Sequence, residues 1–103
     1  MATEITKKEN QQNLVTRLVS DKIIPHGICC EAYEVFPKEY LLINKEGNVG
    51  YAAPLKGVLV NCMFHKLERD EQGNYNFYCR WSEERSAKHT YDKDLKFVGA
   101  NFT

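Results

Sequence analysis

The chain has 103 residues, of which 43% are hydrophobic and 27% are charged. These values lie near globular averages and argue against a disordered chain. The length predicts a single globular domain over residues 1–103, with about residues 1–5 as a flexible tail, because a second core could not be filled. The 14 basic and 14 acidic side chains cancel, so the net charge does not favour a protein that grips duplex DNA through its phosphates.

Two features of the sequence bear on its compartment. The N-terminal segment "MATEITKKENQQ" has no apolar stretch typical of a secretory signal, and apolar runs such as "GVLVNCMF" are too short to span a bilayer. Without export, the four cysteines are expected to stay reduced. We therefore predict a cytoplasmic protein that does not bind membranes.

The first predicted element is an N-terminal amphipathic helix from Thr6 to about Asp21. Residues 6–9, "TKKE", match a capping box, in which the Thr and Glu side chains satisfy exposed backbone donors. The apolar stripe of this helix consists of Leu14, Val15, Leu18 and Val19. Such a helix needs an apolar surface on which to pack.

The segment "ICCEAYEVF", residues 28–36, fits two structures. Its apolar residues follow a helical spacing, and Pro37 would end a helix there. As a strand, the same residues give a poor alternation of apolar and polar side chains. The spacing favours a short second helix, and an extended segment remains the alternative.

From Glu39 onwards the patterns indicate β-structure. The runs "YLLIN" and "VGYAA" flank the turn "KEGN" and predict a hairpin. A longer hairpin is predicted from "GVLVNCMFHKLE" and "YNFYCRWS" around "RDEQGN", with further strands at "KHTY" and "LKFVG" joined at "DKD". The predicted fold is α+β: an N-terminal amphipathic helix packed on a curved antiparallel sheet of four or five strands, which curls towards a small half-barrel.

The longer hairpin has one apolar face. If Arg69 lies opposite Asn74, the alternation along both strands places their apolar side chains on the same side. This predicted core face, which would receive the N-terminal helix, consists of Val58, Val60, Cys62, Phe64, Tyr75, Phe77, Cys79 and Trp81.

The opposite face of this hairpin is the predicted binding surface. In the same register His65 lies opposite Tyr78, and Met63 lies opposite Arg80. Tyr and Arg are enriched at interaction hot spots, and Met adapts to irregular partners. The predicted binding residues are Asn61, Met63, His65, Tyr78 and Arg80. The simpler interpretation is that the C-terminal strands or residues 28–36 half cover this face.

The cysteines and histidines form no clear metal or catalytic motif. His26 and Cys29 share their spacing with Cys62 and His65, but in a strand Cys62 and His65 point to opposite faces. We therefore predict no metal, no cofactor and four buried, inert thiols. No phosphate loop and no nucleophile-elbow motif occurs, so no catalytic residue is predicted.

The predicted function is that of a small non-catalytic binding protein, an adaptor, inhibitor or subunit, which contacts a protein partner through a sheet face or edge. One alternative is a single-stranded nucleic-acid-binding module that stacks bases on the aromatics of "NYNFYCRW". A second alternative is a small thiol-dependent enzyme, which would need a Cys beside a His. An open edge strand would also allow a homodimer.

Overall fold

Antiparallel strands dominate the fold, which was obtained as a computed structural model that describes residues 3–5, 14–80 and 82–102. These residues form nine strands in two sheets and one short α-helix, so the fold is mixed α and β and mainly β. In this described part, no helix has the length and apolar character needed to cross a bilayer.

The chain divides into two compact units. The first unit comprises residues 1–5 and 64–103, and the second unit comprises residues 6–63. The single domain over residues 1–103 stays a prediction. The described elements are β1 (Thr3–Ile5), α1 (Leu14–Ser20), β2 (Glu31–Phe36), β3 (Glu39–Ile43), β4 (Val49–Ala53), a 3₁₀ turn (Pro54–Lys56), β5 (Val58–Phe64), β6 (Lys66–Arg69), β7 (Tyr75–Arg80), β8 (Ser86–Tyr91) and β9 (Phe97–Phe102).

Each unit has its own sheet. The strand order is β1-β6-β7-β8-β9 in the first unit and β2-β3-β4-β5 in the second. Strand β1 pairs antiparallel with β6, so Thr3–Ile5, predicted as part of a flexible tail, form an edge strand. The described strands leave both sheets open, and the half-barrel stays a prediction.

Three hairpin turns share one geometry, at residues 44–48, 70–74 and 92–96. The first residue of each turn is Asn44, Asp70 or Asp92. Its side-chain Oδ1 accepts hydrogen bonds from two backbone N–H groups of the same turn, at 2.9–3.1 Å. The fourth residue has a positive φ: 87° at Gly47, 83° at Gly73 and 60° at Leu95. These turns confirm the first predicted hairpin and the predicted junction at "DKD", and they confirm the longer predicted hairpin over β6 and β7.

Leu95 occupies a backbone conformation that usually selects glycine. A left-handed conformation costs a residue with a β-carbon about 1–2 kcal/mol. The Leu95 side chain is buried, however, and burying a leucine contributes about 1.5–3 kcal/mol. Burial therefore explains a leucine where the two related turns have glycine.

The second unit has a core between its helix and its sheet. Leu14 and Leu18, four residues apart on α1, lie on one helix face and pack against residues of β2, β3 and β4. The buried members of this cluster are Leu14, Leu18, Ile24, Ala32, Tyr40, Leu42 and Ala52. The helix thus packs mainly on β2–β4, and the predicted core face of the longer hairpin contributes half-buried Cys62 to this cluster. The predicted capping box, residues 6–9, lies outside the described residues.

The segment predicted as a short second helix is a strand. β2 pairs antiparallel with β3, with Ala32 opposite Leu42, and the backbone N–H of Cys30 donates to the carbonyl oxygen of Ile43 at 3.0 Å. A helix would leave β3 without this neighbour. Pairing with β3 therefore overrides the helical spacing of the apolar residues.

The longer predicted hairpin is interrupted at His65. The backbone N–H of His65 donates to the carbonyl oxygen of Tyr78 at 2.7 Å, and Lys66 is also paired with Tyr78. Two residues therefore oppose one, which reverses the alternation of faces. As a result Phe64 and Leu67 are both buried, although the predicted alternation placed them on opposite faces.

The predicted register is also one residue away from the observed one, because Arg69 pairs with Tyr75 and not with Asn74. Of the predicted core, Val60, Phe64, Tyr75 and Phe77 are buried, whereas Val58, Cys62 and Cys79 are only half-buried. The eighth member, Trp81, lies outside the described residues. Burial is thus confirmed for four of the seven predicted core residues that the structure describes, and three of these four are aromatic.

Candidate functional site

The structure brings three of the five predicted binding residues together. His65, Tyr78 and Arg80 line one pocket of about 400 Å³ in the first unit. Asn61 and Met63 belong to the second unit, where both are exposed, and Met63 exposes 58% of its surface. The pocket in the first unit is therefore the candidate site.

We call this site the Tyr78 pocket. Its lining residues are His65, Lys66, Tyr78, Cys79, Arg80, Glu83, Glu84 and Ser86. The strands position it, because Lys66 and Tyr78 are neighbours on β6 and β7, and Arg80 is paired with Ser86 on β8. The connection between β7 and β8 supplies Glu83 and Glu84. A volume of this size falls within the range of small-ligand pockets.

A hydrogen-bonded network holds one wall of the Tyr78 pocket. The Tyr78 hydroxyl donates to Glu68 Oε2 at 2.9 Å, and Lys66 Nζ lies 3.1 Å from Glu68 Oε1. Lys66 Nζ also lies 4.9 Å from the centre of the Tyr78 ring, within the range of cation–π contacts. Each of the three side chains therefore contacts the other two, which orders them before any partner binds.

The protonation states of this network follow from its contacts. The hydrogen bond from Lys66 lowers the pKa of Glu68, and the Tyr78 hydroxyl adds to this effect while burial opposes it. Burial and then the Glu68 carboxylate raise the pKa of Tyr78 to about 12. At neutral pH the wall therefore presents a protonated phenol and an ionised carboxylate.

Arg80 holds the loop that forms the other wall. Its Nε donates to the carbonyl oxygen of Ser82 at 3.2 Å, and its Nη2 donates to that of Glu83 at 3.4 Å. The Ser82 hydroxyl oxygen accepts the backbone N–H groups of Glu84 and Arg85. Because a guanidinium has further N–H groups, Arg80 can brace this loop and still donate to a partner.

The face of the sheet that carries Tyr78 and Arg80 is buried at its Asn76 end. Asn76 is buried, its Nδ2 donates to Asp70 Oδ2 at 3.4 Å, and its Oδ1 accepts the Thr90 hydroxyl at 3.0 Å. Along β7 the side chains pass from buried Asn76 through half-buried Tyr78 to exposed Arg80. The predicted alternative, a half-covered face, therefore describes the Asn76 end, and the Arg80 end is open.

Lys66, Glu68 and Ser86 are not among the predicted binding residues, because a regular hairpin places Lys66 and Glu68 on the face opposite to Tyr78. Lys66 and Glu68 are two residues apart, as expected for side chains on one face of a strand. With a one-residue shift of the register, both would have been placed beside Tyr78. Glu83 and Glu84 are exposed, as is usual for carboxylates in a connection between two strands.

The four cysteines are not the fully buried thiols that were predicted. Cys30 is exposed, and Cys29, Cys62 and Cys79 are half-buried. Burial raises the pKa of Cys29, and burial together with nearby Cys29 and Cys30 raises the pKa of Cys62 to about 11. Among the described residues, no group of three or more His, Cys, Asp or Glu side chains is arranged to hold a metal ion.

The cysteines should therefore differ in their rates of alkylation. We expect iodoacetamide to label exposed Cys30 first and Cys62 last at neutral pH, because the thiolate is the reactive form and Cys62 remains a protonated thiol. The Cys62 rate should rise by about tenfold per pH unit up to its raised pKa of about 11. Peptide mass spectrometry over time measures each rate, with urea-unfolded protein as the control. Equal rates for Cys30 and Cys62 in the native protein would contradict this ordering.

The aromatic residues of the nucleic-acid alternative are largely enclosed. Tyr75 and Phe77 are fully buried, so neither can stack on a base in this structure. Tyr78 is half-buried, and its ring already contacts Lys66. Trp81 lies outside the described residues. The described aromatics of "NYNFYCRW" thus give more support to a core than to a stacking surface.

Comparisons with protein-family models, with curated proteins and with solved structures found no match. The class defined by the fold and the site is that of a mainly antiparallel-β protein with an ordered polar pocket on one sheet. The interpretation of its function therefore rests on the geometry of that pocket.

Proposed function

We propose that the protein is a small non-catalytic binding protein, an adaptor, inhibitor or subunit, which binds a protein partner at the Tyr78 pocket. The observation that carries the proposal is the ordered contact of Lys66, Glu68 and Tyr78 beside Arg80 at an open sheet end. Ordered side chains lose little conformational entropy on binding, which favours affinity. The four free thiols support a cytoplasmic location for this activity.

The charges of the Tyr78 pocket indicate the chemistry of the partner. Lys66 and Arg80 bring positive charge, and Glu83 and Glu84 bring negative charge. Such a mixed surface suits a polar protein surface with both donors and acceptors better than it suits a polyanion. Tyrosine and arginine, the residue types of Tyr78 and Arg80, are enriched at binding hot spots. Asn61 and Met63, on the second unit, stay predicted contacts.

Replacing Arg80 with glutamate should weaken partner binding without unfolding the protein. Arg80 is exposed, so the change should affect stability only slightly, whereas it removes a hot-spot cation and places a third carboxylate beside Glu83 and Glu84. We expect affinity for the partner to fall by about tenfold or more, as for other hot-spot substitutions. The matched control is Arg85→Glu, the same charge change at an exposed residue outside the pocket lining.

The measurement starts with capture from native extract, with and without nuclease treatment, by wild-type, Arg80→Glu and Arg85→Glu proteins, followed by mass spectrometry. A protein retained by wild type and Arg85→Glu, and lost with Arg80→Glu, is then purified, and its affinity is measured by calorimetry. Thermal melting of all three proteins checks the fold. The proposal fails if every captured protein is retained equally by Arg80→Glu, or if capture depends on nucleic acid.

A further inference from the structure

Strand β1 covers the outer edge of β6. It has the three residues Thr3–Ile5 and lies at the end of the strand order, next to β6. Ile5, which lies opposite Leu67, is buried, whereas Thr3 and Glu4 are exposed. A terminal strand with one buried side chain has few contacts that hold it, and such elements open at a small cost in free energy. We therefore expect β1 to detach from the sheet while the rest of the unit stays folded.

One residue pair between β1 and β6 is unfavourable. Glu4 lies directly opposite Glu68, and like charges in this position destabilise a strand pair. The Glu68 carboxylate contacts Lys66 through Oε1 and the Tyr78 hydroxyl through Oε2. A carboxylate has about four lone-pair sites, so these two contacts leave room for another donor. Glu68 can therefore accept a cation from a neighbouring strand, which β1 does not supply.

The β6 edge that β1 covers borders the Tyr78 pocket. Lys66 lines this pocket, and Glu68 contacts both Lys66 and Tyr78. A strand that replaced β1 would therefore bind the main chain of β6 and lie beside the ordered wall of the pocket. Adding an extended segment to a sheet edge is a recurrent way for proteins to bind peptides, in which main-chain hydrogen bonds give affinity and side chains give specificity.

We infer that an extended basic segment of the protein partner replaces β1 on β6, antiparallel to it, so that β1 is an autoinhibitory strand. The inference rests on the proposed function, which supplies the partner. The register defines the segment: a lysine or arginine opposite Glu68, between an apolar residue opposite Leu67 and an uncharged residue opposite Arg69. Because β1 must first detach, the apparent affinity is lowered by the fraction of molecules in which the edge is uncovered.

A basic segment suits the β6 edge better than a second copy of the chain does. A second copy would offer its own β1 and would repeat the pair of Glu4 with Glu68. An acidic segment would likewise set a negative charge against Glu68. A cation in this position replaces a repulsion by an attraction, which should raise the affinity about fivefold. The homodimer through another edge strand stays a prediction.

Titration of the full chain with short peptides, followed by nuclear magnetic resonance, tests the edge without the partner. The probes are the blocked peptide "ATEIT", residues 2–6, and its Glu4→Lys form. Ile5→Ser in the full chain removes the buried anchor of β1, so this variant should bind the Glu4→Lys peptide about tenfold or more tightly than wild type does. The matched control is Thr3→Ser, which removes one methyl group at an exposed residue of the same strand and should behave as wild type.

The same titration reports the charge preference and the place of binding. At low salt the Glu4→Lys peptide should bind about fivefold more tightly than "ATEIT", and high salt should reduce this difference. The resonances of Lys66–Arg69 should shift on binding. Equal affinity for the two peptides, equal binding by Ile5→Ser and Thr3→Ser, or shifts confined to β5 or β9 would overturn the inference.

Glu4→Lys in the full chain gives the opposite readout and does not depend on the Ile5 variant. Glu4 is exposed, so the fold should stay intact, and a lysine opposite Glu68 should hold β1 on the sheet. We expect hydrogen exchange in β1 and β6 to slow by about fivefold, and the Glu4→Lys peptide to bind this variant more weakly than wild type. If both exchange and peptide binding were unchanged, β1 would not compete for the edge.

Capture from native extract connects the edge to the partner. A protein whose capture depends on Arg80 should be retained more strongly by Ile5→Ser than by wild type, because the edge is already uncovered. Equal or weaker retention would mean that this partner does not use the β6 edge and would overturn the inference. The peptide titration does not involve Arg80, so a failure of the inference can be distinguished from a failure of the proposed function.

Discussion

Phe77→Ala is expected to lower the free energy of unfolding by about 3–5 kcal/mol, the usual range for a buried aromatic residue. Phe77 is fully buried at the centre of the first unit's sheet. Its ring centre lies 5.2 Å from that of Phe64 and 5.3 Å from that of Tyr91, in tilted and edge-to-face arrangements. Truncation therefore removes two aromatic contacts and leaves a cavity among β-strands that cannot easily collapse.

Urea unfolding followed by circular dichroism measures this loss. The matched control is Phe97→Ala, the same truncation on the same sheet at a residue that is more than half exposed. Both variants are compared at low concentration, so that association does not contribute. Hydrogen exchange by mass spectrometry should show the largest loss of protection in β6, β7 and β8. Similar losses for Phe77→Ala and Phe97→Ala would mean that Phe77 is not a central core residue.

Gly50→Ala is expected to destabilise the second unit by about 3 kcal/mol, at the upper end of the range for overpacking. A β-carbon at Gly50 would lie 2.8 Å from the carbonyl carbon of Asn61 and from the backbone nitrogen of Cys62, and closer still to the carbonyl oxygen of Val60. These are main-chain atoms of β5. The clash therefore cannot be relieved by rotating a side chain, and the main chain of β4 or β5 has to move.

The matched control for Gly50→Ala is Gly99→Ala. Gly99 also lies in a strand, and among the described residues no heavy atom beyond its own chain neighbours lies within 4 Å of a β-carbon placed there. This change should leave stability unaltered or raise it by less than about 1 kcal/mol, because alanine restricts the unfolded chain more than glycine does. Urea unfolding at low concentration measures both variants. If Gly50→Ala were as stable as Gly99→Ala, the close approach of β5 to Gly50 would be wrong.

The hairpins could be predicted because their determinants are local. Asn44, Asp70 and Asp92 each begin a turn in which one side chain satisfies two backbone donors a few residues ahead. Glycine at residues 47 and 73 signals the positive φ that two of these turns need. All the interacting atoms lie within five residues, so short sequence patterns are sufficient to identify them.

The structure of residues 28–36 could not be predicted in the same way. Its determinant is β3, whose Leu41 and Leu42 lie opposite Tyr33 and Ala32. The helical spacing of the apolar residues was a genuine local pattern, but pairing with β3 decides the outcome. Nothing within the segment itself distinguishes the two structures.

Only part of the candidate site could be predicted, because the extra residue at His65 reverses which side chains of the following strand lie on the face of Tyr78. Tyr78 and Arg80 are two residues apart on β7, so their common face follows from strand geometry alone. The assignment of Lys66 and Glu68 to that face depends on the irregularity at His65. That irregularity lies where the chain passes from the strand β5 of one sheet to β6 of the other, which alternation within a single hairpin cannot reveal.

The pairing of β1 with β6 has a consequence for the order of folding. Ile5 lies opposite Leu67, so these two strands are neighbours in space although residues 6–63 separate them along the chain. Bringing such distant segments together carries a loop-closure entropy that grows with the length of the intervening chain. Collapse of the intervening residues shortens the effective loop, so docking of β1 is entropically easiest after the second unit has formed. The N-terminal strand thus joins a sheet whose other four strands, β6 to β9, are linked by short turns and can assemble without it.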